Sequence, residues 1–480
     1  VAAVHPRLIT ENACVALTRR TSFRKAFLAP WAGSSRDVVS GVALDALRRR
    51  SSSSPRWDAV GQIFAYAAAM AQRATKIDWH QLVLNVTHHH SQATPRDREL
   101  AEATRILHRT TACALNWLLQ EQRVDAPGSV WDKRQTSWTT LVDVEAVIGR
   151  AIYDDVNCVA AGWVAHPLDV PLGQHLGFEL WKAGGIAVPK PENDVFSSKK
   201  LPKELELRLT PPIALVRQFE GDLDSIVAYL TELRDGRCAQ LAKERVGPVR
   251  GVKKMRQVHP WDEPDTEREV VGWPVPTFAV GRPGDEGVRL RARCRSESYA
   301  HRDAHRARIV RWKAGDRTSP FPAGTLLGHT FLGMPLDVPA FDAILGAPHP
   351  TREEVEAELA EKRARRAKME EARRERMRVR EERRERARVQ AEVDELEREL
   401  EDEARRVLVI DFDLLEMPAL RPKVDGATEP KRIVRRDLAD ARVTKSEGER
   451  VVVLRARDAK VRTTSKRRRR RGRGANAPPA

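Results

Sequence analysis

The sequence predicts a mainly α fold: a helical body, extended Pro-rich segments, one small β element near 288–295, and one long, charged, solvent-exposed helix. Two observations carry this. Apolar residues recur at helical spacing in several separate stretches. From Thr351 to Met417 no Pro or Gly interrupts a run dominated by Glu, Arg, Ala and Lys, all strong helix formers.

Residues 1–57 are rich in Arg, Ser and Ala and hold ten Lys/Arg against three acids. That is the composition of a mitochondrial transit peptide or of a disordered basic arm. Residues 58–160 read as a helical domain. Val60, Ile63, Phe64, Ala67 and Met70 share one face, and Thr94-Pro95 resembles a helix start. Leu100, Ala103, Leu107, Thr111, Ala114 and Leu118 form a second stripe, and Leu141, Val144, Ile148 and Ile152 a third, which suggests a small bundle.

Residues 161–246 open as a Gly- and Pro-rich loop. They return to helix over 213–236, lined by Leu215, Phe219, Leu223, Ile226, Leu230 and Leu233, with Gly236 as the stop. Residues 247–350 begin with an extended stretch punctuated by Pro248, Pro260, Pro264, Pro274, Pro276 and Pro283. The alternation Val288, Arg289, Leu290, Arg291, Ala292, Arg293, Cys294, Arg295 then predicts a strand with four guanidinium groups on one face. Residues 351–407 are the long helix. Thr351 and Glu354 make a capping-box signature, and Glu358/Lys362 and Glu361/Arg365 are supporting ion pairs. Its end carries a short apolar seam of Val389, Val393, Leu396 and Leu400. Residues 408–454 are a small mixed segment, and 455–480 a basic tail too hydrophilic to fold alone.

The net charge of +17 lies at the ends: residues 1–57 carry +7 and residues 455–480 carry +10. A balanced body with basic ends points to a polyanionic partner. Arg289, Arg291, Arg293 and Arg295 would repel one another unless anions neutralise them, and guanidinium binds phosphate bidentately. Arg302, Arg306, Arg308, Arg311 and Lys313 extend that group. Lys466, Arg467, Arg468, Arg469, Arg470, Arg471 and Arg473 form a second group, which also reads as a nuclear localisation signal. The expected partner is RNA, together with other proteins of a large complex. No apolar run is long enough to span a bilayer, so no membrane partner is expected, and no homo-oligomer either.

Little points to catalysis. The five cysteines are dispersed, with no pair at metal-ligand spacing. His88-His89-His90, with His80 upstream, invites a metal reading. Adjacent side chains diverge, however, and no Cys, Asp or Glu stands near at ligand spacing, so a polar loop is expected. Asp411-Phe412-Asp413 offers paired carboxylates without a third group. Neither a phosphate-cradling Gly loop nor a nucleophile elbow is present. No cofactor, metal site or catalytic residue is therefore expected.

The layout of basic start, helical body, long charged arm and arginine tail resembles that of mitochondrial ribosomal or ribosome-assembly proteins. The resemblance implies a non-catalytic structural component of a large ribonucleoprotein in the mitochondrial matrix. The alternatives are a nuclear or nucleolar RNA-processing factor and a coiled-coil cytoskeletal linker.

Overall fold

The computed structural model describes residues 8–410, apart from 9, 33, 38–55, 97–98, 135, 263–276, 326–332, 341 and 348. The chain starts with strand β1 (Val15–Arg20), then the paired short strands β2 (Ser34–Asp37) and β3 (Arg56–Asp58), and helix α1 (Ala59–Ala74). Strands β4 (Ile77–Asn85) and β5 (His88–Pro95) form a hairpin. Helix α2 (Leu100–Glu121), strand β6 (Ser137–Leu141), helix α3 (Val144–Asp155) and the short α4 (Asn157–Ala160) follow. Residues 161–212 hold short 3-10 turns and the strands β7 (His175–Leu176), β8 (Ile186–Pro189) and β9 (Glu204–Leu207). The rest comprises α5 (Ile213–Gln218), α6 (Leu223–Glu244), α7 (Gly251–Arg256), β10 (Phe278–Ala279), α8 (Gly284–Lys313) and α9 (Arg352–Ile410).

The framework is a six-stranded mixed sheet ordered β10-β6-β1-β5-β4-β7. Only β10 runs parallel to its neighbour. Helices α1 and α2 cover one face; α3 lies on the other. Asp58 caps α1 by accepting from the Gly61 amide at 2.7 Å. Gly61 must lack a side chain, because a Cβ there would stand 2.4 Å from the Gly173 backbone. Trp57, Phe64, Tyr66, Trp79 and Phe178 fill the core and are fully buried. Asp143 caps α3 by accepting from Ala146 at 2.7 Å; it also accepts from the Gly281 amide at 2.9 Å and the Arg282 amide at 3.1 Å. One carboxylate thus ties the start of α3 to the segment that enters α8.

This architecture corrects the mainly α expectation: the body is a mixed α/β layer structure. The helical stripes over 60–70 and 100–118 do lie in α1 and α2; of the third, Val144, Ile148 and Ile152 lie in α3, whereas Leu141 ends strand β6. Between them, however, residues 77–95 form a hairpin that is buried on both faces. Two-sided burial removes the alternation that marks a half-exposed strand. Thr94-Pro95 ends β5 and does not start a helix. Residues 15–20 of the presumed targeting segment are an interior strand. Gly236 does not stop α6.

The predicted strand at 288–295 is also corrected. It lies in α8, whose buried side carries Gly287, Cys294, His301 and Arg308 at seven-residue intervals. The four arginines are therefore spread around a helix. The capping box of α9 is formed: the Thr351 amide donates to Glu354 at 2.8 Å, and the Glu354 amide donates to the Thr351 hydroxyl at 3.2 Å. Val355 and Leu359 are buried against Val216, while Met369 and Met377 are exposed. Residues 1–384 form one compact unit; the remainder of α9 begins a second, at 385. The segment 408–454 beyond Ile410, including Asp411 and Asp413, and the tail with Lys466 to Arg473 lie outside the described residues.

Candidate active site

Strand β5 runs between β1 and β4, so its successive side chains point to opposite faces of the sheet. His89 faces the α1–α2 layer. Its ring centroid lies 5.1 Å from both Phe64 and His108, and its Nε2 is 2.9 Å from His108 Nε2. Trp131 closes that pocket by donating its indole N–H to the His108 carbonyl at 2.8 Å.

His88 and His90 face the other way, toward α3. Their Nε2 atoms are 3.0 Å apart and their ring centroids 4.7 Å. Burial pulls the His88 imidazole down to about 4, helped by the nearby Arg20 and Arg150. Burial, then His88 and Arg150, hold His90 well below its ordinary value. Both rings are neutral near pH 7, which is the form that binds metals.

Helix α3 brings Arg150, Tyr153 and Asp154 to this pair. Tyr153 is 53% exposed, yet its ring lies 5.6 Å from that of His90. The Arg150 guanidinium lies over the Tyr153 ring at 5.4 Å and donates to Asp154 at 2.8 Å. Asp154 is fully buried, and burial pushes its carboxyl up to about 7 against the pull of Arg150. Its Oδ1 is ion-paired with Arg150 Nε at 2.8 Å and sits 3.4 Å from His90 Nδ1.

Around His90 Nδ1 there are two acceptors, Asp154 and the Thr18 hydroxyl at 2.9 Å, and one donor, Arg150 Nη2 at 2.8 Å. Arg150 Nη2 has an alternative acceptor in the Thr18 hydroxyl at 2.9 Å. A proton on Nδ1 satisfies Asp154 and leaves the Nε2 lone pair directed at His88. The 3.0 Å contact is satisfied when the Nε2–H of His88 donates to the Nε2 lone pair of His90. With that proton on His88 Nδ1 instead, beside the Thr87 hydroxyl at 3.2 Å, the two Nε2 lone pairs could hold a divalent cation, with Asp154 orienting His90 from behind. Asn157, one turn beyond Tyr153, is half-buried and carries a further amide oxygen.

A second cluster anchors α3. Asp155 accepts from Gln81 at 3.0 Å and lies 2.5 Å from His175 Nε2, all three being buried. With Glu179, Asp155 and His175 have the spacing of a metal site. Arg234 Nη1 lies 3.8 Å from both Asp155 and Glu179, and its positive charge offsets theirs and disfavours a second cation there. Its role is to fasten α3 to β4, β7 and α6.

The arginines expected to share a phosphate face are separated. Arg291 points at the carbonyls of Val280 and Arg282, each at 3.4 Å, and Arg293 donates to the Asp342 carbonyl at 3.1 Å. Arg308 is buried and donates to the Ser319 carbonyl at 2.7 Å. Arg302 lies over Tyr299, and Arg306 pairs with Asp303 at 3.2 Å. Arg289, Arg295, Arg311 and Lys313 are exposed. None of these groups contacts the histidine site. From sequence, His88-His89-His90 is expected to be a polar loop, since adjacent side chains diverge and no Cys, Asp or Glu stands at ligand spacing. In a strand, that divergence brings residues i and i+2 together. Tyr153 and Asp154 carried no such signal, since only the fold places them 60 or more positions away in space beside β5.

No family model and no curated protein matches the chain. The solved structure of a REP-associated tyrosine transposase bound to a REP hairpin aligns with 36% of this chain and 81% of its own, at 13% identity and a TM-score of 0.22. A likeness at that level assigns neither fold nor chemistry.

Proposed function

We propose that the chain is a metal-dependent enzyme that cleaves a nucleic-acid strand, with Tyr153 as the nucleophile. The observation that carries this reading is one convergence: two neutral imidazoles with facing Nε2 atoms and an exposed tyrosine against one of them. A divalent cation bound there would draw charge from the phosphoryl oxygens as it develops. His88 and His90 would hold that cation, and Asp154 fixes the tautomer of His90. Arg150 sets the Tyr153 ring and neutralises Asp154. Tyr153 Oη forms a bond to phosphorus while the bond to the leaving sugar oxygen breaks. The phenol proton passes to solvent, and the leaving oxygen takes one up. The product is a phosphotyrosine that a second hydroxyl can attack, which would rejoin the strand to a new end. The net charge of +17 supports a polyanionic substrate.

Incubation with end-labelled single-stranded DNA and RNA, with and without Mn²⁺ or Mg²⁺, tests this. Cation-dependent cutting that disappears in Tyr153→Phe is expected. A chain that never cuts, and instead sediments with ribonucleoprotein particles, would favour the structural role expected from the sequence.

A further inference from the structure

The loop that leaves β1 is built against its own backbone preference. Phe23 has φ 51° and Arg24 φ 55°, two successive non-glycine residues in the left-handed region. Each such residue is strained and persists only where its surroundings over-determine it. Here they do. The Thr21 hydroxyl is within hydrogen-bond distance of the carbonyls of Lys25 at 2.7 Å and Thr87 at 2.9 Å. The Ser22 hydroxyl likewise meets the carbonyls of Ser129 at 2.6 Å and Trp131 at 2.8 Å. The result of this bracing is an aromatic ring that is 75% exposed. An exposed ring contributes nothing to the core, so neither the strain nor the exposure serves folding.

The position of the loop is informative. Thr87, to which Thr21 is tied, directly precedes His88, and its hydroxyl lies 3.2 Å from His88 Nδ1. Trp131, to which Ser22 is tied, leads into Asp132, Lys133 and Arg134. The groups that face Arg20 are Arg24, Arg134, Asp132 and Tyr153. Asp132 uses Oδ1 to accept from the Arg134 amide at 2.7 Å. Arg20, Lys133 and Arg134 are exposed and Arg24 is half-buried, with Asp132 an acid near Arg20. An exposed phenyl ring thus stands next to Arg24 in the chain, and Arg24, Arg134, Asp132 and Tyr153 are the electrostatic neighbours of Arg20.

We infer that this rim binds an unpaired segment of the nucleic-acid strand, one base stacking on Phe23 while adjacent phosphates lie on Arg20, Arg24, Lys133 and Arg134. The inference rests on the proposed reaction for its substrate. Alternating aromatic and cationic contacts match the alternating bases and phosphates of a single strand. A paired base has no free face to offer a loop tip. A protein partner fits less well, because interface cores are depleted of charge. The rim would deliver the phosphodiester next to the stacked base to Tyr153.

The test uses the full chain carrying Tyr153→Phe, in EDTA, so that neither covalent chemistry nor a cation takes part. Oligo-dT and oligo-U, each with one 2-aminopurine, are titrated at several salt concentrations. Binding with quenched 2-aminopurine emission is expected, and the tighter of the two names the sugar. Phe23→Ala should weaken binding roughly tenfold and abolish the quench, whereas Phe23→Trp retains both. Arg24→Ala or Arg134→Ala should each lower the log–log salt slope by about 0.7. Since Phe23 is exposed and strained, its Ala variant should fold; the thermal transition checks this. Unchanged affinity and quench in Phe23→Ala overturns the proposal, as does equal competition by the same sequence in a duplex, or binding to anionic vesicles alone. Stacking on Phe23 by a chain that never cleaves would sink the reaction and leave the rim standing.

Discussion

His89 and its two neighbours are the same residue type in an unbroken run, yet they belong to different chemistries. His89 is packed among Phe64, His108 and Trp131, with both ring nitrogens close to partners: Ser91 at 3.1 Å and His108 at 2.9 Å. His88 and His90 face an exposed tyrosine and a buried carboxylate that is ion-paired with Arg150. The difference comes from the period of two in a strand and from what covers each face. On one side are two helices and a closed core; on the other is a helix with an open end. A histidine becomes a candidate ligand through the face it occupies, not through the company it keeps in sequence.

Exchanging residues across that divide should separate activity from stability. The largest effect is expected at the open face. Tyr153→Phe should abolish strand cleavage, and His88→Ala or His90→Ala should reduce it at least about a thousandfold. The thermal transition of Tyr153→Phe should barely move, because the hydroxyl group it loses sits on a half-exposed ring. Cleavage assays beside thermal melts would show this. At the closed face the pattern should reverse. His89→Ala leaves a cavity and deprives His108 of a buried partner, so about 2–4 kcal/mol of stability should be lost. Cleavage per folded molecule should survive. Loss of cation binding in His89→Ala with stability intact would break the comparison.

Asp154 gives an intermediate effect with a pH signature. Its carboxyl titrates near 7, and only the ionised form holds the proton of His90 Nδ1 strongly. Cation affinity and cleavage should therefore fall as pH drops through about 7. His88, near 4, and His90, held well below its ordinary value by burial, stay neutral there and do not share in that loss. Asp154→Asn should weaken the cation roughly 10- to 100-fold and flatten this limb of the profile. The stability sign is opposite. The carboxyl is raised from 3.8, so the folded state binds the proton more tightly than the unfolded chain. Its contribution to stability is full below about 4 and is lost as pH rises through about 7. A urea midpoint series against pH reads that slope, and Asp154→Asn should remove it.

The smallest effect is expected on α8. A strand would have presented four arginines as one phosphate surface; the helix leaves Arg289 and Arg295 exposed and engages Arg291, Arg293 and Arg308 with backbone carbonyls. Reversing Arg295 to Glu should reduce the salt slope of nucleic-acid binding by about 1 and leave the fold untouched. Arg308→Ala should instead lower the melting temperature with no change in slope.

These contrasts also explain what the sequence could reveal. The stripes of α1 and α2 and the capping box of α9 were legible, because each is a local pattern with a helical period. The hairpin 77–95 was hidden because burial on both faces replaces alternation with a continuous mix of Leu, Val, His, Gln and Thr. The period of two at 288–295 misled for the converse reason: Arg, Leu and Ala are good helix formers, and the segment lies inside a helix of 30 residues. The site was the least legible part. It needs the pairing of β5 with β1 and β4 to fix the face of His88 and His90, and then the packing of α3 to bring Tyr153 against them.

The central claim is that the open face of the sheet makes a covalent bond to a nucleic-acid strand through Tyr153. The most direct measurement is to incubate the full chain with a labelled single strand and Mn²⁺, denature it, digest it with protease, and locate the label by mass spectrometry. A nucleotide adduct is expected on the peptide containing Tyr153, absent in His90→Ala and present in His89→Ala at levels matching its folded fraction. Cleaved strand with no adduct at Tyr153, or an adduct on another residue, would contradict it.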